Sequence, residues 1–149
     1  IYGLAALRIG WAYGPPDVID VLNRVRNPFN VNAPAQAAAL AALADRDHVA
    51  AGRAHNERWL PWFCDQLAAR GHQVLPSAGN FVLAHFGAAC DAVAAHLNRN
   101  GIIPRPMGPY GLPEHLRITI GLEDELQAVL SALDGYEAER PGRRRSGSA

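Results

Sequence analysis

Three arginines carry the clearest chemical signal in this chain, because Arg8, Arg105 and Arg117 stand in strand-like stretches rather than on polar helix faces. A guanidinium is a fixed fork of donors that matches a carboxylate or a phosphate in two-point geometry. One such arginine in a half-buried strand is most simply explained by an internal ion pair with Asp or Glu. Three of them, two in one expected sheet, favour an anion-binding site. Arg117 gives the sharpest geometry. In Leu116-Arg117-Ile118-Thr119-Ile120 the strand period of two puts the aliphatic residues on one face and Arg117 with Thr119 on the other. The aliphatic face is expected to meet helices, which aims Arg117 at the open side. Ile103 and Arg105 share a face of the preceding strand, and the loop from Pro106 to Gly111 that follows is placed to line a ligand site.

Other chemistries find less support. All 14 residues in the Lys+Arg count are arginine, so any reaction that needs a lysine amine is absent from this chain. His48 and His55 stand seven apart on one expected helical face, while His72, His85, His96 and His115 are scattered without metal-ligand spacing, so no metal site is expected. Cys64 and Cys90 lie in helix-like stretches and read as free thiols, which fits a reducing, cytoplasmic compartment. The chain contains no GxSxG, no GKS/T and no GxGxxG, so it carries no serine-hydrolase, P-loop or dinucleotide fingerprint. A formal net charge of +0 and a basic run confined to Arg143, Arg144 and Arg145 give no footing for a nucleic-acid partner. No apolar run approaches the ~20 residues that span a bilayer, so no membrane partner is expected either.

The elements that must position the arginines follow from hydrophobic spacing. Residues 7–14 are rich in β-branched and aromatic side chains and end in Gly14-Pro15-Pro16, which predicts a buried strand stopped by a turn. A helix with the apolar stripe Val18, Ile19, Val21, Leu22 and Val25 should follow, then an alanine-rich helix over 33–44. A long helix is expected over 47–70, with Leu60, Phe63, Cys64 and Leu67 on one face and Gly71 as its stop. Pro61 lies inside it and clashes with the carbonyl of Glu57 at a cost of ~3 kcal/mol, which predicts a kink or a restart between Glu57 and Pro61. Strands are expected over 73–75, 81–86, 102–105 and 116–120, and a helix over 91–100. A final helix should put Leu122, Leu126, Val129, Leu130, Leu133 and Tyr136 on one face. The order β-β-α-β-β-α from 73 to 138 describes a small α+β domain with helices on one face of a sheet. The chain after Arg140 has no core-forming residues and is expected to be disordered. Because the first residue is Ile1 and a strand pattern begins almost at once, a natural start upstream is expected.

These segments also carry a family likeness. YGLAALRIGWAYG (2–14) resembles the stretch that follows the Schiff-base lysine in class I/II, fold-type I pyridoxal-phosphate aminotransferases. NPFNVNAPAQ (27–36), LPSAGNFVL (75–83), GIIPRPM (101–107), YGLPEHLRITIG (110–121) and the closing helix resemble, in that order, the histidinol-phosphate aminotransferase branch. The resemblance implies a fold class of α/β to α+β: the end of a large cofactor-binding domain over 1–45, a small ββαββα domain over 46–138 and a disordered tail over 139–149. It implies pyridoxal 5'-phosphate as cofactor, with Arg8 on the cofactor phosphate, Arg117 on the acidic group of the substrate and Arg105 on the substrate's phosphate end. Asn30 and Asn80 match recurrent motif positions without an assigned role. Pro104 stands where the branch usually has valine and Gly79 where it usually has alanine, both leaving Arg105 and Asn80 in register. No catalytic residue is expected within the chain, since the Schiff-base lysine would sit one residue before Ile1, so the isolated chain is expected to be inactive.

The implied reaction is amino transfer between histidinol phosphate and 2-oxoglutarate in histidine biosynthesis, on a phosphorylated or carboxylate amino substrate, by a cytoplasmic homodimer. A phosphothreonine decarboxylase-like or aromatic aminotransferase-like enzyme belongs to the same class of reading. A non-catalytic α+β ligand-binding or interaction remnant is the alternative from a different class. With the large domain absent, apolar surface around Leu7, Ile9 and Trp11 is expected to be exposed.

Overall fold

The computed structural model describes residues 1–139 and divides into two compact units, Ile1–Ala54 and the residues from His55 onward. The first unit is helical. α1 (Pro16–Val25) opens with proline at its first turn, where no N–H is needed, and with Asp17 at the positive end of the helix. α2 (Ala33–Ala44) is capped by Asn32, whose side-chain oxygen accepts the Ala35 N–H at 2.8 Å. α3 (Arg46–Ala69) begins after Asp45, whose carboxylate accepts the His48 N–H at 3.0 Å.

The structure departs from expectation at two points in this stretch. The strand expected over 7–14 is not formed: Ala5–Leu7 make a short 3-10 turn and the rest is irregular. A strand needs a neighbour to share its ladder, and the first unit contains no other strand. Of the kink or restart expected between Glu57 and Pro61, the restart does not occur, since α3 runs unbroken through Pro61. Trp59, Phe63 and Leu67, on either side of the proline, are all buried. Burying three such side chains contributes about 1.5–3 kcal/mol each, which exceeds the ~3 kcal/mol that an interior proline costs.

The second unit has the expected order: β1 (Val74–Leu75), β2 (Phe81–His85), α4 (Cys90–Arg99), β3 (Arg105–Pro106), β4 (His115–Thr119) and α5 (Glu123–Glu139). The four strands form one antiparallel sheet in the order β1-β2-β4-β3. Alternation assigns the faces. Val82 and Ala84 of β2 and Leu116 and Ile118 of β4 are buried in one core with Phe63 and Leu67 of α3, Val93 and Leu97 of α4 and Leu126, Leu130 and Leu133 of α5. The opposite face carries Phe81, Leu83 and His85 beside His115, Arg117 and Thr119, none of them fully buried.

Local chemistry explains where the elements stop. α3 ends on Gly71 at φ +83°, with the His72 N–H bonded to the Leu67 carbonyl, and α4 ends on Gly101 at φ +77°, with the Ile102 N–H bonded to the Leu97 carbonyl. That second cap shortens the strand expected over 102–105. Ile102 spends its N–H on the helix and Pro104 has none, so the ladder starts only at Arg105. Leu122, expected on the buried stripe of the last helix, is exposed instead. It precedes α5, and its N–H donates to the Glu125 carboxylate at 2.7 Å, the return half of a capping box. The tail expected over 139–149 lies outside the described residues except for Glu139, which closes α5.

Candidate functional site

Arg105 and Arg117 face each other across the β3–β4 ladder as directly paired residues. Opposed residues on one sheet face have Cβ atoms about 5 Å apart, and like charges so placed destabilise the pair. Among the described residues no carboxylate lies within salt-bridge distance of either guanidinium. The internal ion pair that would explain a lone strand arginine is therefore missing at both positions. What the chain supplies is aromatic support. The Arg117 guanidinium carbon lies 5.2 Å from the centre of the Phe81 ring, and that of Arg105 lies 5.5 Å from the Tyr110 ring. Arg105 Nη2 also donates to the Tyr110 hydroxyl at 2.8 Å. Arg117 makes no side-chain hydrogen bond among the described residues, so its donors are all available to a ligand.

Gly79 matters to this arrangement. A Cβ at that position would come within 3.2 Å of Cε1 of Phe81, tighter than ordinary contact, so the glycine leaves the ring the room it occupies beneath Arg117. The turn before it is pinned by the Asn56 side-chain amide, which donates to the Gly79 carbonyl at 3.1 Å, and by Ser77, whose hydroxyl accepts the Gly79 N–H and donates to the Phe81 carbonyl. The Asn80 carbonyl accepts the Ile120 N–H at 2.8 Å and ties the start of β2 to the end of β4. A cavity of about 290 Å³ walled by Ile102, Ile103, Pro104, Ile118, Thr119 and, from α5, Glu125, Leu126 and Val129 has neither guanidinium among its walls and lies toward the helix-covered side of the sheet.

Arg8 belongs to the other unit and is not on a strand as expected. It follows the 3-10 turn with φ +56°, a left-handed conformation uncommon for a residue with a Cβ, and its Nη1 donates to the Ala5 carbonyl at 2.9 Å. The remaining donors of this exposed guanidinium have no partner among the described residues, which suits a phosphate. Asn30 accepts from Arg26 Nη1 at 3.3 Å on the wall of an open cleft of about 750 Å³ within the first unit.

The remaining titratable groups have structural settings. His85 Nε2 lies 3.0 Å from the Glu114 carboxylate, and its ring lies 4.9 Å from that of its cross-strand neighbour His115. Burial pushes the Cys64 and Cys90 thiols up, with Asp65 and Asp91 adding to it, so both stay protonated at neutral pH. Arg70 grips Asp134 by two bonds of 2.8 and 2.9 Å, which holds that carboxyl below the usual range. Among the described residues no cluster of three His, Cys, Asp or Glu is placed to hold a metal ion, and no helix is long and apolar enough to cross a membrane.

Sequence reasoning named both members of the arginine pair and the 106–111 loop that carries Tyr110, but it gave no part to Phe81 and did not foresee the contact between Tyr110 and Arg105. Phe81 is two residues from Leu83, the strand partner of Arg117, a relation that exists only once the β2–β4 register is known. Tyr110 stands five residues after Arg105, across a turn that no periodic pattern marks.

Comparison with known proteins adds a second kind of observation. Residues 1–133 match the family model for aminotransferase class I and II. A histidinol-phosphate aminotransferase of Paramagnetospirillum magneticum is 53% identical over 91% of this chain, and one of Rhodopseudomonas palustris is 45% identical over 93%. The chain spans about 39% of the length of each. Among solved structures, histidinol-phosphate aminotransferase from Sinorhizobium meliloti in complex with pyridoxal-5'-phosphate superimposes with a TM-score of 0.73 at 30% identity, covering 90% of this chain and 38% of that one.

Proposed function

The chain belongs to the class I and II aminotransferases, and on that footing we propose that it supplies the anion-holding residues of a histidinol-phosphate aminotransferase. In this reading an amino group moves between a phosphate-bearing amine and 2-oxoglutarate. Pyridoxal 5'-phosphate, when bound, supplies the electron sink for the exchange. Arg8 holds the phosphate of that cofactor through the guanidinium donors that Ala5 does not use. Arg117 grips the acidic group of the substrate from above Phe81, and Arg105, set against Tyr110, holds the phosphate end. Holding the ionised end at two points fixes the direction in which the amine is presented, which converts binding energy into orientation. The complete enzyme is taken to be a cytoplasmic homodimer. The 149-residue chain contains no lysine and is expected to turn over nothing by itself.

The observation that carries this reading is the cross-strand arginine pair without a carboxylate partner. The test is transamination of histidinol phosphate with 2-oxoglutarate by a parent chain that includes this sequence and supplies the lysine. Replacing Arg117 or Arg105 by glutamine removes a charge-assisted contact of about 1.5–3 kcal/mol, so the KM for histidinol phosphate should rise about tenfold or more. A parent enzyme that ignores phosphate-bearing amines, or whose kinetics are indifferent to both substitutions, contradicts the proposal.

A further inference from the structure

We propose that Tyr110 is the third member of the anion clamp: it positions Arg105, and its hydroxyl proton makes the clamp favour a phosphate monoester over a carboxylate. The inference rests on the anion-binding reading of the arginine pair and adds to it a residue and a selectivity. In the Arg105–Tyr110 bond the guanidinium donates and the phenol oxygen accepts, which leaves the phenol proton uncommitted. Among the described residues no acceptor takes that proton. The ring itself lies against the same guanidinium, so Arg105 is held by a hydrogen bond and a face contact at once.

Tyr110 is itself fixed in place. Its N–H bonds to the Met107 carbonyl at 2.9 Å, the next N–H, of Gly111, bonds to Gly108, and Gly111 takes a left-handed φ of +77° that closes the turn. Met107 is buried and its N–H bonds to the His115 carbonyl, which ties the turn to the strand that carries Arg117. The tyrosine and both arginines therefore share one backbone frame.

Charge decides what fits. A phosphate monoester carries about −1.5 to −2 at pH 7 on three oxygens, whereas a carboxylate carries a single charge on two. Two facing guanidiniums and a phenol proton match the former in charge and in donor count. A carboxylate leaves one cation unmatched and the phenol proton without use.

The test measures protection of Arg105 and Arg117 from phenylglyoxal in the 149-residue chain at micromolar concentration, titrated with inorganic phosphate and separately with acetate at constant ionic strength. Peptide mass spectrometry reads each arginine by itself, so any phosphate at Arg8 is scored apart. Phosphate should protect both clamp arginines. Tyr110→Phe, which keeps the ring and removes the hydroxyl, should raise the half-protecting phosphate concentration about tenfold and the acetate value less than twofold, with an unchanged thermal midpoint. Phosphate protection in Tyr110→Phe within twofold of the parent chain, or an equal loss for phosphate and acetate, overturns the role of Tyr110. Arg105→Gln separates the two levels of argument. If it abolishes phosphate protection of Arg117 while Tyr110→Phe does not, only this inference falls; if phosphate protects neither arginine of the parent chain, the anion-binding reading falls and takes this inference with it.

Discussion

Phe81 and Gly79 show how much of an arginine's behaviour is set by residues that carry no charge. The ring gives Arg117 a face to lie on, and the missing Cβ at position 79 gives the ring its place. Gly79→Ala should therefore displace the ring by a few tenths of an ångström with little loss of stability, and weaken anion protection of Arg117 more than that of Arg105. Phenylglyoxal kinetics at the two sites check this. His72 makes a different prediction. Its ring packs 4.5 Å from Phe86, and burial pushes the imidazole below its ordinary value, with Glu137 pulling the other way. The folded state then holds the proton less tightly than the unfolded chain. Its contribution is complete above the free-imidazole value of ~6.5 and is lost as pH falls through the depressed folded value. Thermal midpoints should fall between pH 7 and 5, and His72→Phe should flatten that slope.

At the scale of elements, α3 is the instructive case. The stripe Leu60, Phe63, Cys64 and Leu67 identifies the helix and Gly71 its end, and the structure agrees at both. The reading of Pro61 as a point of restart fails because local propensity was weighed without the core that Trp59, Phe63 and Leu67 enter together. Pro61 is exposed and its replacement can only relieve backbone. Pro61→Ala should stabilise the chain by about 1–3 kcal/mol, read as a rise in urea midpoint at constant m-value. The strand expected over 7–14 fails for a complementary reason: a β-rich composition identifies a segment that wants a ladder, and the first unit offers none. The facing of Arg117 was legible because alternation along a single strand is enough to derive it. Its pairing with Arg105 was not, because register between strands is a property of two segments and the turns around them.

Taken whole, the molecule is unevenly consolidated. The second unit has a continuous buried core, while Ala35 is the only fully buried residue of the first. Phe29 is 99% exposed at a left-handed φ, Tyr13 is 95% exposed, Trp11 76%, and the α1 stripe of Val18, Val21, Leu22 and Val25 lies open. Leu7 and Ile9 are partly covered, so the exposure expected around them centres instead on Trp11 and its neighbours. Apolar side chains exposed in this number drive association. Light scattering on the isolated chain should show mass rising with concentration, and a strictly monomeric profile into the hundreds of micromolar contradicts this.

The sheet constrains the form such association takes. Both of its margins, β1 and β3, are two-residue strands, and β3 sets Pro106 in the ladder directly after Pro104 and Arg105. The β3 margin, short, charged and flanked by prolines without N–H donors, offers no template on which a second molecule's backbone can continue the ladder, and β1 offers only the two residues Val74 and Leu75. Growth by strand addition is disfavoured at both margins, which leaves clustering to the helical surface. Precipitates of this chain should therefore be amorphous, with no thioflavin T response and no 4.7 Å cross-β reflection.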